Sequence, residues 1–378
     1  MTRPPLYPQF IEPGAPHWRR WWWVLLVLWG FQAMALLALW PEARPPLERW
    51  LWSAVLPVSW ALVLALRVLL WQIGLFRLEV YRRARDADVQ RWWQRRGLAL
   101  PVQHVLLLGP AGDEQRLYQA LMAATPIPKP SLPQGTIQPV LRCRLSLSDE
   151  LERSPALARH LARLALAVPE LAQRWSMLRG VAWVGDAGGQ AAFAHRLAED
   201  GVTLPATQVW LEDLADLDAL IEGFYALCEK EGDWLLCAGV ASLDRSEDGE
   251  LPGEAGFLWA VSRQGRVLLH RGEYLLGEAH ESPAELCAQV QRYAGLEGAP
   301  PSCLALDDSS QAAFVEGGWS AAEHQLSAHW GVLGNLAPFI GMSLALLQAQ
   351  EAGQACGWLG RDAEKRVAIG VAVPYGNS

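Results

Sequence analysis

From Trp21 to Trp40 the chain carries no charged side chain. A helix rises 1.5 Å per residue, so about 20 residues of this kind span roughly 30 Å, the thickness of a bilayer's hydrocarbon core. Inside that core each backbone N–H and C=O must be satisfied within the protein, and a helix does this locally. A secretion signal has a shorter apolar stretch and ends at small residues of the A-x-A kind. This run ends in "LALWPEARPP", where Pro41 stops the helix and no cleavage site follows.

A second apolar run, Trp50 to Phe76, follows at once and is interrupted only by Arg67. An arginine at mid-bilayer costs about 2.5–3.5 kcal/mol on insertion scales, so Arg67 is expected to reach toward the nearer face or to sit against the first helix. The linker "PEARPPLER" is too short for a domain, and the two runs predict a transmembrane helical hairpin. Trp18, Trp21, Trp22, Trp23, Trp40, Trp50 and Trp52 cluster near the ends of the runs, where aromatic belts form. Arg3, Arg19 and Arg20 precede the hairpin, and Arg77, Arg82, Arg83, Arg85, Arg91, Arg95 and Arg96 follow it. The linker holds Arg44 and Arg49 against Glu42 and Glu48. This asymmetry predicts that both termini are cytoplasmic. The segment "RLEVYRRARDADVQRWWQRR", with Trp92 and Trp93 among arginines, suits either an interfacial helix on anionic lipid or a solvated flank.

Charge divides the chain at the same place. Residues 1–96 hold 13 Arg and no Lys against 6 acidic residues, and the remainder carries -15, which together give the net -8. An acidic domain lacks the basic footprint that nucleic-acid binding requires. The six cysteines, at 143, 228, 237, 287, 303 and 356, form no CxxC or zinc-ligand spacing and are expected as buried free thiols in a reducing compartment. The predicted organisation is a cytoplasmic tail (1–20), the hairpin (21–76), a basic juxtamembrane segment (77–96) and a globular domain (97–378).

Strand-like and helical phrases alternate in the globular part, which predicts an α/β fold. "VQHVLLLG", "GVAWVG", "DWLLCAGVASL", "PSCLALDD" and "KRVAIGVAVPYGN" read as strands. "EQRLYQALMAA", "LARHLARLALAVPELAQRW", "QAAFAHRLAEDG" and "SPAELCAQVQRYAG" read as helices, "LPATQVWLEDLADLDALIEGFYALCEKEG" as a short strand and a long helix, "HWGVLGNLAPFIGMSLALLQAQEAG" as a helix after a loop, and "GFLWAVSRQGRVLLHRGEYLL" as a hairpin. There is no repeat of 20–50 residues. "GPAGDE" (Gly109–Glu114) lacks the spacing and lysine of a P-loop. "GDAGG" (Gly185–Gly189) reads as a tight turn rather than an anion cradle. "GMSLA" (Gly341–Ala345) nearly matches a nucleophile elbow but lies within an apolar helix, where small residues pack. His324 and His329 are spaced wrongly for metal ligands on one helix face. Asp307, Asp308, Ser309 and Ser310 follow a strand and read as a helix cap. The residues alone therefore give no catalytic, cofactor-binding or metal site.

Several phrases in order resemble the ketosynthases of the thiolase superfamily. They are "RGVAWVGDAGG", "EGDWLLCAGVASL", "PGEAGFLWAV", "SCLALDDSSQ", "LGNLAPFIGMSLALLQAQEAG" and "RVAIGVAVPYGNS", spread over residues 100–378. The resemblance implies a thiolase-like layered α/β domain that pairs through a two-fold interface. In that family a nucleophilic cysteine opens a buried helix, yet the matching stretch "QVWLEDLADLDALI" has no cysteine. The first catalytic histidine is replaced within Leu306–Ser309, and the glycine–histidine motif reads Gly334-Asn335. Condensation needs a thiolate to carry the acyl group and imidazoles to stabilise the enolate. The resemblance thus implies a pseudoenzyme with no cofactor, acting as a scaffold or adaptor at a bacterial inner membrane. Its expected partners are membrane lipid, a second thiolase-like subunit and secretion effector or spike proteins. Degenerate ketosynthase-like proteins accompany type VI secretion effector genes. Two other readings stand beside it: an acyl-transfer enzyme with a relocated nucleophile such as Cys237 or Ser309, and a sensor that binds acyl chains or a carrier protein.

Overall fold

A computed structural model describes residues 5, 7–39, 41, 45–113, 127–132, 138–145, 152–246, 249–276, 282–321 and 324–376. The chain divides into two compact units, Met1–Trp93 and Gln94–Ser378.

The first unit is built on helices α1 (Trp18–Leu39) and α2 (Pro46–Arg96). Both are long and apolar enough to cross a membrane. None of the residues of α1 is buried. α2 is a single helix of 51 residues that carries the second apolar run directly into the basic segment, with Pro57 accommodated in its interior. Trp21 and Trp60 meet with ring centroids 5.0 Å apart, and Gln32 Nε2 donates to the Trp52 carbonyl at 2.6 Å. Arg67 Nη2 donates to the carbonyl of Gly14 at 3.0 Å. Gly14 lies four residues before α1 begins, so Arg67 pairs with the approach to the helix and not with its middle. The N-terminal tail continues along α2. Pro13 packs on Gly74, where an added Cβ would lie 2.9 Å from the proline Cβ. The Tyr81 hydroxyl donates to the Pro8 carbonyl at 2.6 Å, Arg82 pairs with Glu12 at 2.7 Å, and the Tyr7 hydroxyl reaches Asp88 at 3.1 Å.

The second unit is a mixed sheet with helices. Its strands are β1 (Ala99–Leu108), β2 (Leu178–Val184), β3 (Gln208–Trp210), β4 (Trp234–Ser242), β5 (Glu254–Ser262), β6 (Val267–His270), β7 (Glu273–Leu275), β8 (Ser302–Ala305), β9 (Cys356–Arg361) and β10 (Val367–Pro374). The longer helices are α3 (Arg153–Ala167), α4 (Ala187–Glu199), α5 (Leu214–Leu227), α6 (Pro283–Tyr293), α7 (Asp308–Phe314) and α8 (Ala337–Ala352). The strand order is β3-β2-β4-β5-β1-β6-β10-β9-β8, with β7 beside β10. Two halves repeat one scheme. In the first, β1 is antiparallel to β5, β5 to β4, and β4 is parallel to β2. In the second, β6 and β7 are antiparallel to β10, β10 to β9, and β9 is parallel to β8. The helices intervene in matching order, so α5 before β4 corresponds to α8 before β9.

Several local expectations change. Strands β5 and β6 do not form a hairpin with each other, because β1 lies between them. The chain leaves one edge of β1 and resumes on the other in the same direction. Gly265 makes this crossing at such close range that a Cβ would lie 2.2 Å from the Pro101 carbonyl carbon. Helix α4 starts at Ala187, so Gly188 and Gly189 belong to its first turn. Strand β9 was not read from the sequence, and helix α7 only through its cap at Asp307–Ser310. The helix expected over "EQRLYQALMAA" lies outside the described residues.

The strands β4 and β5 are buried almost end to end, as befits strands covered on both faces. Helix α8 is apolar all round and packs against β9 and β10 as well as β1, β5 and β6. Ser343, inside it, donates to the Phe339 carbonyl at 2.7 Å and accepts from Trp259 Nε1 at 2.8 Å.

Two charged clusters lie inside the unit. Glu254 is fully buried and accepts from Arg153 Nε at 2.8 Å, Ser242 Oγ at 3.0 Å and the Cys143 N–H at 2.9 Å. Arg96, the last residue of α2, pairs with Asp218 of α5 and at 2.7 Å with Glu273 of β7. The Tyr293 hydroxyl also donates to Glu273, and Arg271 reaches Asp218 and Glu222, each at 3.2 Å. Burial pushes the Glu273 carboxyl up to about 7, against the opposing pull of Arg96.

The crossing at β1 gives a direct test. Gly265→Ala is expected to cost about 1–3 kcal/mol by overpacking against Pro101. Gly298→Ala, where a Cβ meets nothing within 4 Å, is expected to be near neutral. Urea denaturation of the full chain in detergent, followed by tryptophan fluorescence, compares the two.

Candidate functional site

Three places carry the altered positions of the resemblance: the start of α5, the step from β8 to α7, and the turn before α8. The structure brings all three against one element, the turn Arg361–Arg366 between β9 and β10. Asp213 caps α5, its carboxylate accepting from Ala215 N at 2.7 Å and Asp216 N at 3.2 Å. Arg366 Nη2 lies 3.7 Å from the Asp213 carboxylate. Asp307 caps α7, accepting from Ser310 N at 2.9 Å and from Ser310 Oγ at 2.6 Å. Arg361 Nε approaches Asp307 at 3.9 Å, and its Nη2 pairs with Glu250 at 3.1 Å. Gly334, with φ +59, opens the short turn before α8, and a Cβ there would meet Leu243 and Ala363 near 4 Å.

The turn is held rigidly. Asp362 is buried and accepts from Arg366 N at 2.9 Å and Arg366 Nε at 2.7 Å. The guanidinium of Arg366 lies 4.3 Å over the Tyr274 ring. Burial, with Asp362 beside it, holds the Tyr274 hydroxyl well above the ordinary phenol range, while Arg366 pulls the other way. A phenol in that state is a donor and a poor base. The site therefore holds carboxylates, guanidinium groups and one protonated phenol. They are paired with each other and with the positive end of α5, whose first N–H groups are occupied by Asp213.

No sulfur reaches this place among the described residues. All six cysteines are free and buried. Cys228 caps the C-terminal end of α5, roughly 20 Å along the helix from Asp213. Burial pushes its thiol up to about 11, and that of Cys237 in the middle of β4 higher still. Cys287 is raised to about 11, and Cys303 and Cys356 to about 12, burial being the largest cause in each. Thiolate, the nucleophilic form, is thus suppressed throughout. Ser309 lies in the first turn of α7.

The other motifs have structural roles. Gly185, with φ +121, makes the turn after β2, where a Cβ would lie 2.4 Å from the Val240 carbonyl oxygen. Asp186 caps α4 by accepting from Gly189 N at 2.7 Å, which consumes the helix terminus that an anion would need. Ser343 of "GMSLA" is fully buried in mid-helix. In "GPAGDE", Gly109 and Gly112 bond to each other, and Asp113 bonds His160 Nε2 at 2.6 Å. The described residues contain no group of three potential metal ligands. Sequence reading named Asp307 only as a cap and missed Arg361, Asp362, Arg366 and Tyr274, since their role depends on β9, which it did not place.

No family model matches the chain, and no curated protein matches it. Solved structures do. The ishigamide ketosynthase/chain length factor is matched at 13% identity with a TM-score of 0.50, over 74% of this chain and 100% of that one. ChlB3, described as an acyltransferase, is matched at 13% identity and 0.46, over 73% and 98%. A variant of OleA from Xanthomonas campestris is matched at 10% identity and 0.44, over 73% and 98%. With the ishigamide protein as the guide, the chain has the mixed α/β fold of the thiolase-like condensing enzymes.

Proposed function

We propose that the chain is a membrane-anchored, non-catalytic thiolase-like scaffold or adaptor that faces the cytoplasm of a bacterial inner membrane. One observation carries this reading. The stretch Gln208–Ile221 that resembles the ketosynthase nucleophile region holds no cysteine, Leu306–Ser309 and Gly334-Asn335 hold no histidine, and Arg361 and Arg366 of the β9–β10 turn pair with Asp307 and Asp213 in these stretches. Removing one member of a catalytic unit already costs orders of magnitude in rate, and here the whole unit is missing.

The anchor reading rests on exposure as well as length. Trp23, Phe31, Leu37, Leu62 and Phe76 each expose two-thirds or more of their surface. An apolar surface this extensive is stable against lipid and not against water. The basic flanks orient the hairpin with both termini inside. The partner surface for a second thiolase-like subunit is the outer edge of β3, where Val209 and Trp210 stand exposed and no further strand pairs among the described residues. Effector loading for a type VI secretion machine is the role that the resemblance to degenerate, accessory ketosynthase-like proteins supplies.

Three measurements test the reading. Affinity purification of the detergent-solubilised full chain is expected to recover a thiolase-like subunit or secretion effector and spike components, and recovery of neither sinks the scaffold role. Iodoacetamide or an acyl-thioester probe at neutral pH is expected to label none of the native cysteines within minutes, with labelling appearing on denaturation. A single stoichiometric adduct on the folded chain would restore the enzyme reading. A reporter active only outside the cytoplasm is expected to be silent after Ser378 and active within the 41–49 linker.

A further inference from the structure

The N-terminal tail marks where the membrane surface crosses α2. Residues 7–17 form neither helix nor strand. They run along α2 from Arg67, bonded to Gly14, to Asp88, bonded to Tyr7. Irregular backbone does not lie against lipid in a hydrocarbon core, where its N–H and C=O groups would stay unsatisfied. The tail, and the side of α2 that it covers, therefore lie outside that core. Toward the start of α2 the two helices accompany each other. Trp18 shares a groove with Ala61, Ala65 and Leu69, Trp21 meets Trp60, and Gln32 reaches Trp52. α1 has 22 residues and Pro46–Arg67 is equally long, each about 33 Å of helix, close to one core thickness. Arg67 thus stands at the membrane surface, level with Arg19 and Arg20 in the first turn of α1. The side of α2 away from the tail, with Leu69, Ile73 and Phe76 exposed, stays against the lipid.

Charge singles out the same level. Further along α2 the arginines are matched by carboxylates. Arg82 pairs with Glu12 at 2.7 Å, Arg83 with Glu79 and Arg85 with Asp86 each at 2.8 Å, and Arg91 with Asp88 at 3.1 Å. Among the described residues no carboxylate pairs with Arg19, Arg20, Arg67 or Arg77, and the acceptor for Arg67 is the uncharged Gly14 carbonyl. Anionic lipid attracts basic side chains at this depth, and those whose charge is not already matched respond most strongly. The groove lies beside them. It has room because α2 offers alanine at 61 and 65, with Trp18 and Leu69 as walls and Gln72 at its outer end. Neither the Gln72 amide nor the Trp18 indole N–H donates a hydrogen bond among the described residues. An apolar trough, two neutral donors and three unmatched cations are the chemistry of a phospholipid's acyl chain, its ester oxygens and its phosphate.

We infer that the mouth of the hairpin is a binding site for an anionic phospholipid. Arg19, Arg20 and Arg67 hold the phosphate, Gln72 and Trp18 donate to its polar oxygens, and an acyl chain lies along Ala61 and Ala65. The site rests on the membrane anchor proposed above, and it holds whether or not the globular unit is catalytic.

Native mass spectrometry of the detergent-solubilised full chain, titrated with dioleoylphosphatidylglycerol, tests this site. The chain is expected to retain that lipid several-fold better than dioleoylphosphatidylcholine, which has the same acyl chains and no net charge. The triple variant Arg19→Gln, Arg20→Gln, Arg67→Gln is expected to lower this retention about ten-fold or more. The triple variant Arg82→Gln, Arg83→Gln, Arg85→Gln removes the same charge and is expected to keep it. Ala65→Phe, which fills the groove and leaves every charge in place, is expected to weaken retention of both lipids. No preference in the unaltered chain, equal losses in the two triple variants, or full retention in Ala65→Phe overturns the site. Excess inorganic phosphate is expected to displace none of the lipid, and complete displacement overturns the phospholipid in favour of a free anion. Native thiols protected from iodoacetamide show that each variant is folded. Resistance to extraction by alkaline carbonate reads the anchor separately: a chain that stays in the membrane without lipid preference refutes the site alone, and a chain washed off refutes both.

Discussion

Strand β1 shares its two edges between the halves of the second unit. Its first residues, Ala99–Val102, bond to β6, and Val102–Leu108 bond to β5. Without that shared strand the β5-β4-β2-β3 group and the β6-β10-β9-β8 group would be separate sheets with separate edges. With it they form one hydrogen-bonded path, and α8 can rest on strands of both. The constraint is sharp because the chain must pass from β5 to β6 across β1 at a distance only glycine permits, at Gly265. Everything at the candidate site follows from this closure, since it fixes where β7, β9 and β10 stand relative to α5.

The candidate site is a cluster of mutually paired carboxylates and guanidinium groups. Asp213, Asp307 and Asp362 are acceptors, and Arg361 and Arg366 supply the cations. Ion pairs at a partly exposed surface contribute modestly to stability. Two guanidinium groups on one turn engage two helix caps and a neighbouring loop. Glu254 illustrates the same economy deeper in the unit, where a fully buried carboxylate is accommodated because Arg153, Ser242 and a backbone N–H saturate it.

The class of fold was legible from alternating apolar strands and amphipathic helices, and the two long N-terminal helices from the length of their apolar runs. What escaped the sequence did so for physical reasons. β9 contains Gly357 and Gly360 within six residues, which mutes any strand signal, yet Gly357 is there because Cys303 and Trp319 press against it. The expected β5–β6 hairpin had the right turn residues, but pairing partners across a sheet are non-local and β1 lies far away in sequence. "DAGG" looked like a turn because glycine is a poor helix former, whereas the Asp186 cap and the crowding by Ser154, Val240 and Trp183 outweigh that preference. The positions of the candidate site were flagged by what they lack, while the arginines and tyrosine that close it carry no motif. Their grouping exists only after folding.

Arg96 has a consequence for how the chain is handled and made. It is the last residue of α2, and it is also a buried cation facing Asp218 and Glu273. A version begun at residue 97 would look like a clean excision of the globular part, but it would strip the buried Glu273 and the part-buried Asp218 of a counter-charge. Glu273, already displaced upward with the arginine in place, would be driven further toward its neutral form. On the ribosome the order is reversed in time: Arg96 emerges well over a hundred residues before either acid, so the two pairs form only after α5 and then β7 have been made.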